Sequence, residues 1–247
     1  MKIQISIIVA TLNSEKHVYQ TIMSALDHNI DEMEVIVVDG GSTDKTLKII
    51  KELKNDKLVI IEGKDTGIAE AWNKGLKIAK GCLIAMLNSD DYYKRGVLNE
   101  VIDQFNGITV PVIGYGNVSM IDSSGDIVEE IIGKSRTKIG LLNGFGFMHT
   151  SVICNRLAYD KIGSFNQKLR VAIDTEWLLR GISSKVTFMK ISNHVYMRKG
   201  GLSAINNYTG MGEYADALLR NGYGEKHMML FFIYRAVGHI LKVTKLR

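Results

Sequence analysis

The chain has 247 residues, of which 46% are hydrophobic and 23% are charged, and this composition excludes a disordered, collagen-like or coiled-coil chain. The formal net charge is +5, but residues 225–247 contain five basic residues and one acidic residue, which leaves only +1 for residues 1–224. A body that is nearly neutral argues against a broad nucleic-acid-binding face, and we expect no nucleic-acid partner.

The cysteines and the first residues indicate a reducing, cytoplasmic setting. Cys82 and Cys154 are too few for a disulfide framework or a cysteine-rich zinc site, and both lie in apolar runs where a buried, inert thiol is expected. The first 13 residues contain one lysine and a short apolar stretch, which ends at Asn13 and Ser14 without the pattern of a signal peptide.

The first half of the chain alternates between short apolar runs and helical patterns. Continuous apolar runs are typical of strands buried on both faces of a parallel sheet, and the alternation predicts βαβ units. The predicted strands are Ile5–Ala10, Glu34–Asp39, Leu58–Ile61 and Cys82–Leu87, and apolar stripes with helical spacing lie between them over residues 18–26, 47–53 and 68–79.

The pattern changes after about residue 107. A long β-like segment, Val110–Ile121, is followed by the turn sequence Asp122–Gly125 and by Asp126–Ile132, which predicts an antiparallel hairpin. The fold class is therefore α/β with a mixed sheet, parallel in its N-terminal half and antiparallel in its additions. The later predicted elements are a strand at Met148–Ile153, helices at Arg156–Ile162 and Asp174–Gly181, and a strand at Val186–Arg198.

Acidic and amide side chains follow each of the first four predicted strands. The carboxyl ends of parallel strands meet at one edge of a sheet, where ligands bind. A single acid such as Asp44 can equally be a helix cap or turn residue, but the adjacent pair Asp90 and Asp91 favours Mg²⁺ or Mn²⁺ holding a diphosphate. Their side chains diverge, so only one is expected to be the main ligand. The clusters are Thr11–Asn13, Asp39–Asp44, Glu62–Asp65 and Asn88–Asp91.

Several competing motifs are missing from the sequence. It contains no GxxxxGK[ST] phosphate loop, no GxGxxG after a strand, no HExxH, no ligand spacing among its six histidines and no GxSxG elbow. These absences disfavour a P-loop enzyme, a dinucleotide-binding fold, a zinc peptidase and a serine hydrolase.

An ordered set of motifs over residues 3–203 resembles the family 2 glycosyltransferases with the GT-A fold, which is a Rossmann-like mixed sheet. The motifs are ISIIVATLN, VIVVDGGSTDKT, DTGIAEAWNKGLKIAKG, LNSDD, MHTSVICNR, IDTEWLLRG and MRKGGLS. The resemblance implies a UDP-sugar donor, with Asp39 facing uracil, Asp90 near the ribose, and Asp91 holding Mn²⁺ or Mg²⁺. It implies that the nucleotide-sugar-binding residues are Thr11, Asn13, Asp39, Asp65, Lys74 and Asp90.

The same resemblance implies that Asp174 is the catalytic base, although Ile173 replaces the acid that usually precedes it. Residues two apart on a helix point about 200° apart, so Asp174 and Glu176 are not expected to face one site. Glu176 is then solvent-facing or an orienting partner, and the alternative role for Asp174 is a helix N-cap. A base opposite the leaving group implies inversion. Secondary candidates on the acceptor side are His149, which can equally be a structural histidine, Glu176, Arg180 and Arg198.

The C-terminal residues predict a basic amphipathic helix that lies in a membrane surface. Seven apolar residues, Met228–Tyr234, are too few to span a bilayer. Phe231 falls on the basic side and breaks the pattern, and a helix packed on the core or on a second copy is the alternative. The apolar face comprises Met229, Phe232, Ile233, Ala236, Ile240 and Val243, and the basic face Arg235, His239 and Lys242.

These observations predict a GT-A domain at residues 1–204 and a helical extension at residues 205–247. The expected function is an inverting, metal-dependent hexosyltransferase that moves galactose or glucose from a UDP-sugar to a lipid-linked saccharide. The chain resembles O-antigen and capsule enzymes that extend GlcNAc-diphosphoundecaprenol, and we expect it to be peripheral on the inner face of the cell membrane. The alternatives are a nucleotidyltransferase of related fold and a nucleotide-sugar-binding module without glycosyl transfer.

Overall fold

The computed structural model describes residues 3–136, 140–200 and 207–233, and within them one mixed sheet carries helices on both faces. The first half comprises β1 Ile5–Thr11, α1 Val18–Leu26, β2 Met33–Asp39, α2 Thr46–Glu52, β3 Leu58–Glu62, α3 Ile68–Ile78, β4 Leu83–Asn88, β5 Tyr92–Tyr93 and α4 Val97–Phe105. The second half comprises β6 Val112–Ile121, β7 Ile127–Ile131, β8 Val152–Asn155, α5 Arg156–Ile162, α6 Ile173–Ser183, β9 Thr187–Arg198 and α7 Asn207–Arg220, and residues 225–233 are also helical.

Strands β3, β2, β1 and β4 form the parallel part of the sheet, as the apolar runs predict. Every residue of β1 and β2 is buried, because helices cover both faces. Thr11 pairs with Asp39, Asp39 pairs with Glu62, and Ala10 pairs with Asn88. The strand ends that carry the polar clusters therefore meet at one edge of the sheet.

The remaining strands extend the sheet in the order β8, β6, β9 and β5, with β7 paired to β6. The predicted hairpin is confirmed as the antiparallel pair β6–β7. The pairing of β6 with β9 is parallel, which differs from the purely antiparallel additions expected. The predicted strand at Met148–Ile153 is displaced, because His149–Ser151 form a 3₁₀ turn and β8 begins at Val152.

Two hydrophobic layers enclose the sheet, and a third cluster lies at one end. Helices α1 and α4 pack on one face, and α3, α5 and α6 pack on the other. Cys154 is buried as expected, whereas Cys82 is only half-buried. The sequence-based assignment did not include α4, although its buried residues have helical spacing. These residues are Val97, Leu98, Val101 and Phe105.

The third cluster joins α6 to the C-terminal helices. Met228 and Phe231 are buried in it, so the described part of the extension packs on the domain. Phe231, which broke the amphipathic pattern, points into this core, while Met229, Phe232 and Ile233 of the predicted apolar face are exposed. The rest of the predicted amphipathic helix, residues 234–247, lies outside the described residues. In the described part of the chain, no helix is long and apolar enough to cross a membrane.

Candidate active site

A cleft of about 940 Å³ opens at the carboxyl edge of β1 and β4 and extends to the start of α6 and to α7. Five of its lining residues, from distant parts of the chain, were predicted as primary site residues, and His149 was a secondary candidate. The predicted residues that line the cleft are Thr11, Asn13, Asp65, Asp90, His149 and Asp174.

The loop after β1 is held by side chains of the neighbouring strand ends. Asn13 has a positive φ of 50°, and its side-chain oxygen accepts a hydrogen bond of 2.8 Å from the backbone N–H of Thr43. The hydroxyls of Ser14 and Ser89 lie 2.6 Å apart and join this loop to the loop after β4. The hydroxyl of Thr11 is buried and has no hydrogen-bond partner among the residues that the structure describes. This loop is therefore fixed at the cleft wall.

Asp39 and Asp44 both accept hydrogen bonds from nearby backbone. Asp39 is fully buried, does not line the cleft, and accepts from the N–H groups of Gly41 (3.0 Å) and Ser42 (2.9 Å). Its expected contact with uracil stays a prediction. Asp44 lines the cleft and also accepts from the backbone N–H of Thr46 at 2.9 Å. Asp44 is therefore a turn residue before α2, as one of the two expected roles has it, whereas the N-cap residue of α2 is Lys45.

Asp65 and Lys74 differ in their relation to the cleft. A Cβ atom at Gly40 would lie 2.8 Å from the carboxylate of Asp65, so Gly40 permits this acid to pack against the β2 loop. Burial raises the pKa of Asp65. The Lys74 ammonium binds the Glu70 carboxylate at 2.9 Å and the Lys64 carbonyl at 3.0 Å, and Lys74 is not among the lining residues.

The adjacent acids Asp90 and Asp91 diverge. Asp90 lines the cleft, whereas Asp91 is 1% exposed and accepts hydrogen bonds from Asn88 Nδ2 (2.9 Å) and the backbone N–H of Arg198 (3.1 Å). Burial, and then the neighbouring charge of Asp90, raises the pKa of Asp91 to about 7. The structure therefore brings Asp90 to the cleft, while Asp91, the expected metal ligand, joins the β4 loop to the end of β9.

Asp174 lies in the first turn of α6 and contacts His149. Its Oδ2 atom is 3.3 Å from His149 Nδ1, and His149 Nε2 is 3.4 Å from Asn88 Oδ1. Asn88 turns its amide nitrogen to Asp91, so its oxygen faces His149. The N-cap residue of α6 is Ala172, so the alternative role of Asp174 as the cap is wrong. The side chain of Asp174 is 27% exposed.

Glu176 and Arg180 form an ion pair that does not line the cleft. Glu176 is buried rather than solvent-facing, and its carboxylate accepts two hydrogen bonds from Arg180, at 2.8 and 3.0 Å. Arg180 also donates to the carbonyls of Ile162 and Ser164 and so joins α5 to α6. Glu176 therefore orients Arg180 rather than Asp174.

Arg198 also lies outside the cleft lining. Its guanidinium donates to the Gln20 side chain at 2.9 Å and stands 6.0 Å from the centre of the Tyr92 ring. These contacts fix the end of β9 beside α1 and β5.

The sequence-based reasoning missed three basic side chains that line the cleft, Lys16, His17 and Arg170. Lys16 and His17 follow the β1 strand end, within four residues of the predicted cluster Thr11–Asn13, so their place in the sequence is the signal that could have found them. Burial, and then the charge of Arg198, lowers the pKa of His17. Arg170 lies on a loop far along the chain, and no local signal marks it.

The profile described as "Glycosyl transferase family 2" matches residues 6–163. The chain is 27% identical over 247 residues to the Escherichia coli UDP-Glc:alpha-D-GlcNAc-diphosphoundecaprenol beta-1,3-glucosyltransferase WfaP, covering 96% of this chain and 94% of that protein. It is also 33% identical over 156 residues to an uncharacterised Haemophilus influenzae glycosyltransferase, covering 62% of each.

Among solved structures, S. aureus TarS residues 1–349 superimposes with a TM-score of 0.64 at 22% identity, covering 91% of this chain and 68% of that one. This likeness confirms the GT-A fold that the motifs predict. Since the family profile spans most of the chain, including β1, the β2 loop and the Asp90 motif, the chain belongs to glycosyl transferase family 2.

Proposed function

We propose that this chain is an inverting, divalent-metal-dependent glycosyltransferase that moves a hexose from a UDP-sugar to a lipid-linked saccharide. One observation carries the proposal: Asp174, Asp90 and the end of β1 line the same cleft. Asp174 is a partly exposed carboxylate in the first turn of α6. A base and an anion-binding region in one cavity are what transfer from a nucleotide sugar needs.

A UDP-sugar donor is supported by the solved neighbours and by the basic side chains among the residues that line the cleft. Structures of S. aureus TarS residues 1–349 are described as complexes with UDP-GlcNAc and with UDP. In this chain, Lys16, His17 and Arg170 offer basic groups to a diphosphate, and Thr11, Asn13 and Asp65 offer polar groups to the nucleoside. Glucose is the favoured hexose, because WfaP is described as a glucosyltransferase.

Asp90 is the acid in the cleft that fits a divalent cation. Mg²⁺ is commonly held by one or two carboxylates together with substrate phosphates and water. Over residues 3–136, 140–200 and 207–233, no three or more His, Cys, Asp or Glu side chains are grouped so that they could hold a metal ion. The protein would therefore supply only part of the metal's ligands, and the diphosphate would supply others. A bound Mg²⁺ or Mn²⁺ would offset negative charge on the leaving diphosphate. Asp91 is a poorer ligand, since protein donors already occupy both its oxygens.

Asp174 acts as the general base. The acceptor hydroxyl oxygen forms a bond to the anomeric carbon while the bond from that carbon to the diphosphate oxygen breaks, and UDP leaves with the electron pair. The hydroxyl proton passes to the Asp174 carboxylate. The Nδ1 atom of His149 contacts this carboxylate, and the side-chain oxygen of Asn88 contacts the Nε2 atom of His149. Attack from the face opposite the diphosphate inverts the anomeric centre.

A relative supports the proposed acceptor, and the C-terminal helix supports the proposed location. WfaP is described as acting on GlcNAc-diphosphoundecaprenol, which supports a lipid-linked saccharide acceptor for this chain. The side chains of Met229, Phe232 and Ile233 are exposed, and the sequence that follows them, residues 234–247, contains four basic residues and no acidic residue. An exposed apolar face next to basic residues supports peripheral contact with the inner face of the cell membrane, in bacterial surface polysaccharide synthesis.

The test is turnover with UDP-glucose or UDP-galactose and a synthetic GlcNAc-diphospho-lipid, in Mn²⁺ or Mg²⁺. We expect UDP release that depends on the acceptor, and a product whose anomeric proton coupling shows a β linkage. Donor binding without turnover would instead support a binding module, and pyrophosphate release from a sugar phosphate and UTP would support a nucleotidyltransferase. A product that retains the donor's anomeric configuration would contradict the mechanism.

A further inference from the structure

The segment 170–172 lies in the cleft wall immediately before the helix that carries Asp174. The backbone N–H groups at a helix start have no partner within the helix. Ala172, the N-cap residue of α6, has no side-chain oxygen to accept from them. The backbone segment that leads into α6 is instead held by a side chain from elsewhere in the fold.

Glu213 of α7 is that side chain, and it accepts hydrogen bonds from the three backbone N–H groups just before Ile173, the first residue of α6. Its Oε1 accepts from the N–H of Arg170 at 2.8 Å, and its Oε2 accepts from Val171 at 2.9 Å and Ala172 at 2.8 Å. Three charge-assisted hydrogen bonds to consecutive N–H groups fix both the position and the direction of this backbone. A carboxylate at the positive end of α6 is also favoured by the helix dipole.

A second contact shows how closely α7 approaches the same segment. A Cβ atom at Gly210, one helical turn before Glu213, would lie 2.8 Å from Val171 Cγ1. On the other side, the Arg170 guanidinium donates to the carbonyl of Thr66 at 2.8 Å. Segment 170–172 is therefore clamped between α7 and the loop before α3.

We propose that Glu213 is a positioning residue for glycosyl transfer, which sets the place of the Asp174 carboxylate by holding segment 170–172. The inference rests on the proposed role of Asp174 as the base. Glutamine cannot replace Glu213, because it has one acceptor oxygen and its amide group would face N–H donors. Displacement of a catalytic group by about 1 Å can lower the rate on the order of 100-fold.

The experiment compares Glu213→Gln with Asp216→Asn, which removes the same charge from the same helix. Asp216 pairs with Arg220 at the surface and lies outside the cleft lining. For Glu213→Gln we expect kcat to fall about 10- to 100-fold. The KM for the UDP-sugar should rise by a smaller factor, because Arg170, a proposed diphosphate contact, lies in the same segment. Asp216→Asn should match the wild type in both. Hydrogen exchange of the peptide containing residues 170–172 should be faster in Glu213→Gln only.

The UDP-binding stoichiometry of each variant gives the fraction of folded sites. Two results would overturn the inference. In the first, kcat of Glu213→Gln falls only in proportion to its loss of UDP-binding sites. In the second, kcat of Glu213→Gln equals that of Asp216→Asn. If Glu213→Gln does not fold, Gly210→Ala is the variant to test. It retains the Glu213 carboxylate, but its added Cβ atom displaces Val171. A wild-type kcat in Gly210→Ala would then refute the positioning role. Failure of the proposed function gives a different result, namely no transfer by the wild type or full transfer by Asp174→Asn.

Discussion

Phe231 and Phe232 are neighbours in the helical segment 225–233, but their side chains lie in different environments. Phe231 is 0% exposed, and its ring centre lies 5.7 Å from that of Tyr214 in α7, whereas Phe232 is 53% exposed. Truncating a fully buried phenylalanine to alanine typically lowers the free energy of unfolding by about 3–5 kcal/mol, because it removes buried surface and leaves a cavity. We expect that loss for Phe231→Ala and a change below about 1 kcal/mol for Phe232→Ala.

The two variants are matched controls, because each removes the same atoms from adjacent helical positions. Urea unfolding followed by circular dichroism gives the free energies, and a loss of about 3–5 kcal/mol in a chain of this size corresponds to a fall in Tm of about 6–20 °C. Sedimentation with anionic vesicles at low and high salt gives the membrane contribution. Phe232→Ala should weaken vesicle binding by about 10- to 100-fold, since burying one phenylalanine contributes about 1.5–3 kcal/mol.

Equal stabilities for the two variants would refute the packing of segment 225–233 on the core. Vesicle binding by Phe232→Ala at the wild-type level would place any membrane contact elsewhere. Binding that does not weaken with salt would also contradict a role for the basic residues, since exposed charges are screened over about 8 Å at physiological ionic strength.

Further predictions concern the cleft. Asp174→Asn should lower kcat by about 10²–10⁴-fold and leave UDP affinity by calorimetry unchanged, because the amide keeps the size of the side chain but cannot take a proton; a wild-type rate would exclude Asp174 as the base. Asp90→Ala should abolish the stimulation of turnover by Mn²⁺ or Mg²⁺, and excess EDTA should inactivate the wild type. Turnover that survives EDTA, or an Asp90→Ala enzyme that responds normally to metal, would contradict the metal role. Glu176→Gln should lower Tm without changing the KM for the donor, because its partner Arg180 lies outside the cleft lining; a raised KM at an unchanged Tm would refute the structural role.

Local patterns in the sequence determined the parallel half of the sheet and the family. Continuous apolar runs mark β1, β2 and β4 because both faces of these strands are buried, and this requirement is met by consecutive residues. The edge strand β3 also has an apolar run, although it is only partly buried. The strand-end argument then identified Thr11, Asn13, Asp65 and Asp90, because the ends of parallel strands must meet. Strand β5 has only two residues, too few to produce a pattern.

Only the tertiary structure decided which side chains point into the cleft and what holds them. The sequence predicts that Asp90 and Asp91 diverge, but the partners that bury Asp91 come from Asn88 and from Arg198, which lies 107 residues away. Similarly, Glu213 caps the backbone before α6 across 41 to 43 residues, at a helix start whose own N-cap residue is alanine. Such contacts depend on how distant segments pack, and no periodicity or local motif specifies that packing. A buried strand, in contrast, is predicted by the apolar residues of the strand itself.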